Sequence, residues 1–280
     1  MSETTTTPRA DVAVIGGSGF YSFLPEAEQV EVSTPYGEPS SAISVGEVGG
    51  TRVAFLPRHG RDHRYPPHLI PYRANLWALR SLGVKQVIAP CAVGGLRPEV
   101  APGDVVVPDQ LVDRTYRRNP SFVERGGVHL PFADPYCPGV RTALVGAAED
   151  IKDGGTMVVI EGPRFSTRAE SQAYAASGWT LINMTATPEA PLAREMGMCY
   201  ASMALVTDMD AGAEGEHGVS ADEVMALFAQ NLERLHGILG SAVAALPDPA
   251  DCSCASWLEA TPPTYAIPDP DAAGLPGAGA

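Results

Sequence analysis

Residues 200–210 read YASMALVTDMD: a strongly apolar run, then a threonine and two aspartates separated by one methionine. A run apolar on both faces predicts a strand buried on both sides, as in sheets covered by helices above and below. Such a strand delivers its polar residues to the loop at its carboxyl end, where α/β proteins place their ligands. Short β-branched runs at 11–15, 52–56, 86–89, 104–107, 157–160 and 181–183 repeat the pattern. Helix-like segments alternate with them at 72–82, 168–177 and 189–195. A longer helix opens at Ser220, where Glu223 completes a capping-box signature and Val224, Leu227, Phe228, Leu232 and Leu235 recur at helical spacing. The alternation predicts an α/β fold, a three-layer sandwich in a single domain over residues 11–246. Residues 1–10 and 247–280 lack periodicity and are rich in Thr, Pro, Ala and Gly, so both read as tails.

Of the 280 residues, 45% are hydrophobic and 19% charged, with no apolar run long enough to span a bilayer. The first residues carry no basic segment followed by an apolar one, so a cytoplasmic protein with no membrane partner is expected. A net charge of −14 argues against a nucleic-acid partner, since phosphate backbones are held by clustered Lys and Arg. Five scattered cysteines do not suggest a disulfide framework. Cys252 and Cys254 form a CxC pair, expected to be ordinary reduced thiols because no second Cys/His pair at ligand spacing accompanies them; no metal site is expected.

Five strings could carry chemistry. Gly16, Gly17, Ser18 and Gly19 follow the first strand, where backbone N–H groups and a hydroxyl can approach an anion; a purely structural tight turn is the competing reading. The Rossmann fingerprint fails, because Ser22 stands where its third glycine belongs. After the second strand, Arg58 offers a planar fork of donors for phosphate and His59 a further donor. A solvated loop, or a metal site using His59, His63 and His68, competes with that reading. Phe165 follows a Gly-Pro turn and could stack on a base or fill the core. Asn183, Met184 and Thr185 put polar groups at a strand end. Last, Asp208 and Asp210 suit the adenine edge: a carboxylate accepts from the exocyclic amino group and, protonated, donates to N7. Capping a surface loop is the alternative for this pair.

Taken together and in order, GGSGF, PRHGRDH, PGDVVVPDQLVDRT, GVHLPFADPYCP, IEGPRFSTRAES, INMT and TDMD resemble the purine nucleoside phosphorylase superfamily, and within it the trimeric 5′-methylthioadenosine phosphorylases. The likeness runs from about Val12 to about Leu246. It implies a mixed central sheet flanked by helices, and phosphate-dependent cleavage of 5′-methylthioadenosine to adenine and 5-methylthioribose 1-phosphate; the alternatives are a 6-oxo purine nucleoside or methylthioinosine, or another adenosine with a halogen or hydroxyl at C5′. It further implies phosphate contacts from Ser18, Arg58, His59, Cys91, Ala92 and Thr185, with Met184 beneath the ribose and Phe165 on the base. Asp208 and Asp210 would read adenine and act in catalysis, and Ala221 and Val224 would line the pocket for the 5′ group. His129 would reach a neighbouring subunit's site in a homotrimer. Neither metal nor cofactor is implied, because inorganic phosphate is the co-substrate. The sequence departs from the family where Thr is usual: Pro90 and Cys91 stand there, and a thiol is a weaker donor than a hydroxyl. Pro71 likewise replaces a polar residue.

Overall fold

The computed structural model describes residues 9–17, 20, 23–24, 26–211 and 219–270. In chain order the main elements are β1 (Val12–Gly16), β2 (Glu28–Val30), β3 (Ile43–Val48), β4 (Thr51–Pro57), α1 (Tyr72–Ser81), β5 (Gln86–Gly95), β6 (Val105–Val107) and β7 (Gln110–Arg114). There follow α2 (Pro138–Val145), β8 (Lys152–Asp153), β9 (Thr156–Ile160), α3 (Arg168–Ala176), β10 (Leu181–Asn183), α4 (Ala186–Glu195), β11 (Cys199–Asp208), α5 (Ala221–Ala244) and α6 (Trp257–Ala260).

All the strands join one mixed sheet that forks at β5. On one side of β5, β1 runs parallel to residues 86–88 and stops, and β10 takes over antiparallel at Gly94 and Gly95. On the other side β11 pairs parallel along nearly the whole strand. The stretch of β5 between the end of β1 and the start of β10 has no partner on that side, and this gap opens the site. It also accommodates Pro90: a residue's N–H and C=O point the same way in a strand, so the missing N–H faces the gap, where no ladder partner asks for it.

The sheet is covered on both faces, as expected for a three-layer sandwich. Along β1, Ala13 and Ile15 enter a core shared with α1 and α4, while Val12 and Val14 enter another shared with α2 and α5. Because side chains alternate across a strand, two cores require β1 to be apolar throughout, as its sequence is.

Two expectations are corrected. Ser220 is the N-cap of α5, but its side chain makes no capping bond; the reciprocal capping box lies at Thr167 and Glu170, at the start of α3. The C-terminal stretch is also not a loose tail over its described part. Cys254 and Trp257 are each only 5% exposed, Trp257 Nε1 donates to Arg194 O at 3.1 Å, and Tyr265 Oη donates to Glu195 O at 2.6 Å. The domain therefore extends past Leu246 because this segment brings its own apolar anchors to the core.

Candidate active site

At the β5 fork lies a cavity of about 220 Å³. It gathers Arg58, His59, Cys91, Ala92, Phe165, Met184, Thr185, Asp208, Asp210 and Val224 from six separate strings of the sequence. Ser18 lies outside the described residues, while its neighbour Gly17 lines the cavity. Ala221 and His129 are both exposed and do not line it. Phe228, read from sequence only as part of the helical pattern, and Met225, not named there, join Val224 on the α5 wall. Their i, i+1 and i+4 spacing was readable as helix, but which face meets a cavity is set by packing.

Two glycines make the enclosure possible. A Cβ on Gly16 would come within 2.6 Å of the Phe55 ring, so the end of β1 can lie against β4 only without a side chain. A Cβ on Gly94 would meet Ile182 at 2.8 Å and Asp208 Oδ1 at 3.0 Å, so β5 must be bare where β10 and the first aspartate converge.

The phosphate-like half differs from its sequence reading. Arg58 is 2% exposed, and its fork is occupied: Nε donates to Glu189 Oε1 at 2.5 Å, and Nη2 donates to Glu189 Oε2 at 3.1 Å and to Ile15 O at 2.8 Å. Nη1 donates to Pro90 O at 3.1 Å. Of five guanidinium protons these bonds use four, leaving one Nη1–H for an anion. Burial opposes the charge on Arg58, but the Glu189 carboxylate outweighs it and holds the guanidinium protonated. Glu189 also accepts from Tyr200 Oη at 3.0 Å. Glu189 and Tyr200 were missed from sequence; a Glu inside an apolar helix face was the available signal.

His59 is corrected from donor to acceptor. Burial pushes its pKa down to about 4, so the ring is neutral near pH 7. Nδ1 lies 2.8 Å from Tyr65 O, and because a carbonyl only accepts, Nδ1 carries the proton and Nε2 has a lone pair. Nε2 can thus take a hydrogen bond from the P–OH of hydrogenphosphate or from a sugar hydroxyl. His63 stacks on His59 at 4.3 Å between ring centroids. Cys91 is buried and its thiol is pushed up to about 12, so it stays a neutral, weak donor. Thr185 is held by Asn183, whose Oδ1 accepts from the N–H of Thr185 and of Ala186, each at 2.7 Å.

The purine-like half is built around a bulge. β11 stays in register with β5 through Val206, then skips so that Asp208, not Thr207, faces Gly94. An extra residue in a strand re-aims the side chains after it. Asp208 Oδ1 accepts from Asp210 N–H at 2.9 Å, and burial, together with the nearby Asp210, raises the Asp208 pKa. Thr207 Oγ1 stands 2.9 Å from Asp208 Oδ2 and 3.2 Å from Val93 O, two acceptors for one hydroxyl proton. The hydroxyl can give its single proton to Asp208 Oδ2 or to Val93 O, and the bond to Asp208 opposes, without cancelling, the effect of burial. Asp210 is 8% exposed, sits at φ 44°, and its Oδ2 is buried without a partner. A strained residue holding an unsatisfied oxygen in a cavity wall is the mark of a ligand position, because the penalty of an unmet buried acceptor is about 1–3 kcal/mol.

A mixed sheet opened at a strand switch point, with two carboxyl groups on one side of the opening and a buried arginine on the other, is an α/β fold with a small-molecule site at its strand ends. The chain belongs to the phosphorylase superfamily, whose sequence model matches residues 11–244. It is 57% identical over 243 residues to the S-methyl-5′-thioadenosine phosphorylase of Mycolicibacterium smegmatis, covering 86% of this chain and 93% of that one. It is 54% identical over 275 residues to a Streptomyces coelicolor protein named purine nucleoside phosphorylase, covering 93% and 98%. Among solved structures, methylthioadenosine phosphorylase from Schistosoma mansoni in complex with adenine superposes with a TM-score of 0.81 at 38% identity, covering 84% of this chain and 91% of that one.

Proposed function

We propose that this chain is a nucleoside phosphorylase that uses inorganic phosphate to split 5′-methylthioadenosine into adenine and 5-methylthioribose 1-phosphate. The carboxylate pair carries the reading. Asp210 Oδ2 lacks a donor, and the exocyclic amino group of adenine supplies one. Asp208, with its raised pKa, is suited to hold a proton and give it to N7.

The C1′–N9 bond breaks with its electron pair passing to the base, the Asp208 proton neutralises that base at N7, and a phosphate oxygen bonds to C1′. The sugar is oxocarbenium-like between these events, and a phosphate held beside it both stabilises and captures the cation. Ser18, the spare Nη1–H of Arg58, the Ala92 N–H, Cys91 and Thr185 are assigned to phosphate, with His59 accepting from its P–OH. Phe165 stacks on the base and Met184 underlies the ribose. Val224, Met225 and Phe228 give the 5′ substituent an apolar wall, with Ala221 at its rim. The reaction calls for neither metal nor cofactor. His129 completes a neighbouring subunit's site in a homotrimer, a reading supported by its exposure away from its own cavity; sedimentation tests the assembly. A cytoplasmic location belongs to the same proposal. No helix among the described residues is long and apolar enough to cross a membrane.

The Streptomyces coelicolor relative is named for purine nucleosides without specifying the base, which keeps open a second reading, a 6-oxo purine substrate. Such a base presents O6, an acceptor, to Asp210 Oδ2, which then needs a proton of its own. Base release from 5′-methylthioadenosine and from inosine, each with and without phosphate, decides. Release independent of phosphate overturns the phosphorylase, and equal turnover of the two nucleosides overturns the base assignment.

A further inference from the structure

Four of the five cysteines, set aside as unrelated thiols on sequence spacing, converge in the fold. Cys137 precedes α2, Cys199 opens β11, and Cys252 and Cys254 lie in the segment after Leu246, beyond the residues matched by the family's sequence model. Their four sulfurs all lie within 4.8 Å of one another. Cys252 Sγ is 3.4 Å from Cys137 Sγ and 3.2 Å from Cys254 Sγ. Cys137, Cys199 and Cys254 are buried and Cys252 is half-buried.

Tetrahedral zinc bound by four thiolates at about 2.3 Å places its sulfurs roughly 3.8 Å apart, the scale of this cluster. One disulfide gives two further thiols no reason to gather, and two disulfides would set the four sulfurs apart as two close pairs. Here no pair stands apart, since Cys252 is near two partners at once. Cys137 is also the N-cap residue of α2, where the helix dipole favours a thiolate. We propose that Cys137, Cys199, Cys252 and Cys254 form a closed structural zinc site that ties the C-terminal segment to α2 and β11.

Four soft sulfur donors select zinc over magnesium or calcium, and a site with all four positions filled by protein has no opening for substrate. Binding is a proton exchange: each thiol that ligates loses its proton to solvent, up to four in all, with no redox change. The cluster stands at the opposite end of β11 from Asp208, nine residues along the strand and so about 30 Å away. Its loss should loosen the C-terminal segment and leave the chemistry intact.

The test measures zinc by mass spectrometry in protein purified without chelator, counts thiols in denaturant with and without reductant, and titrates the reduced, metal-free protein with zinc or cobalt under anaerobic conditions. The expected results are about one zinc per chain, five thiols without reductant, and a tetrahedral cobalt–thiolate spectrum at one equivalent. The Cys252→Ser/Cys254→Ser double variant should weaken zinc binding more than about a hundredfold. It should also lower Tm while kcat/KM at low temperature holds. Cys91→Ser, outside the cluster, should bind zinc as the parent does. Two or four thiols that appear only after reduction identify one or two disulfides and overturn the proposal, as does a reduced protein that takes up neither metal.

Discussion

At its amino end β11 begins with Cys199 among three other thiols, and at its carboxyl end it finishes with Asp208 beside Asp210. Between them every residue from Tyr200 to Thr207 is buried. At the cysteine end the side chains satisfy one another, and the groups around them come from a helix start and a C-terminal segment wrapped onto the core. At the aspartate end the strand bulges, the backbone at Asp210 enters the left-handed region, and a buried oxygen has no partner. One strand thus serves as a rigid rod whose first end is closed by the protein and whose second is left for a ligand to close. The strain and the unmet hydrogen bond of Asp210 lie where binding can relieve them.

The largest expected effect comes from removing the proton at the open end. Asp208→Asn should lower kcat/KM for 5′-methylthioadenosine by ~10²- to 10⁴-fold with no loss of Tm, because a carboxyl that burial already disfavours as an anion loses only its acid function. Steady-state kinetics beside a thermal melt checks both halves; a fall in Tm with activity retained would reverse the contrast between the two ends. The sign of the pH effect follows from the raised pKa. Activity that needs the proton should decline as pH rises through the Asp208 pKa, and that alkaline limb should vanish in Asp208→Asn.

Glu189→Ala should cost about 3–5 kcal/mol in urea unfolding, since it leaves the buried Arg58 charge unpaired. Its effect lies in stability, which separates the support of the site from its open edge. A smaller change accompanies acidification. The folded protein holds His59 near 4 against 6.5 for the free side chain, so below pH 6.5 the unfolded chain binds more protons and stability falls as pH drops toward 4. The contribution is at most about 3 kcal/mol, and His59→Gln should flatten the unfolding free energy across that window. Smallest is Cys91→Thr, which replaces a weak donor by a hydroxyl and should lower the phosphate KM by less than about tenfold, with kcat nearly unchanged. A raised phosphate KM would show that the thiol is better fitted to this pocket than the family's usual residue.

The core strands were legible because their apolar runs are continuous. β2, β3, β7 and β8 escaped sequence reading: they are short or carry exposed and charged residues, and strands of that kind are defined by the partner they pair with. The α3 capping box was available as Thr167 and Glu170, at the same spacing that drew attention to Ser220 and Glu223. Spacing alone does not tell which N-cap side chain turns inward.

The sequence by itself determined the α/β sandwich, the strings that meet in the cavity and the two aspartates at the end of β11, because apolar periodicity and local residue order are one-dimensional properties. Only the tertiary structure decided that Arg58 is engaged by Glu189, that His59 presents a lone pair, that Asp208 and Asp210 differ, and that four distant cysteines meet. Those facts depend on which atoms become neighbours when water is excluded, and burial and pairing across 131 residues in one case and 115 in another leave no local trace in the chain.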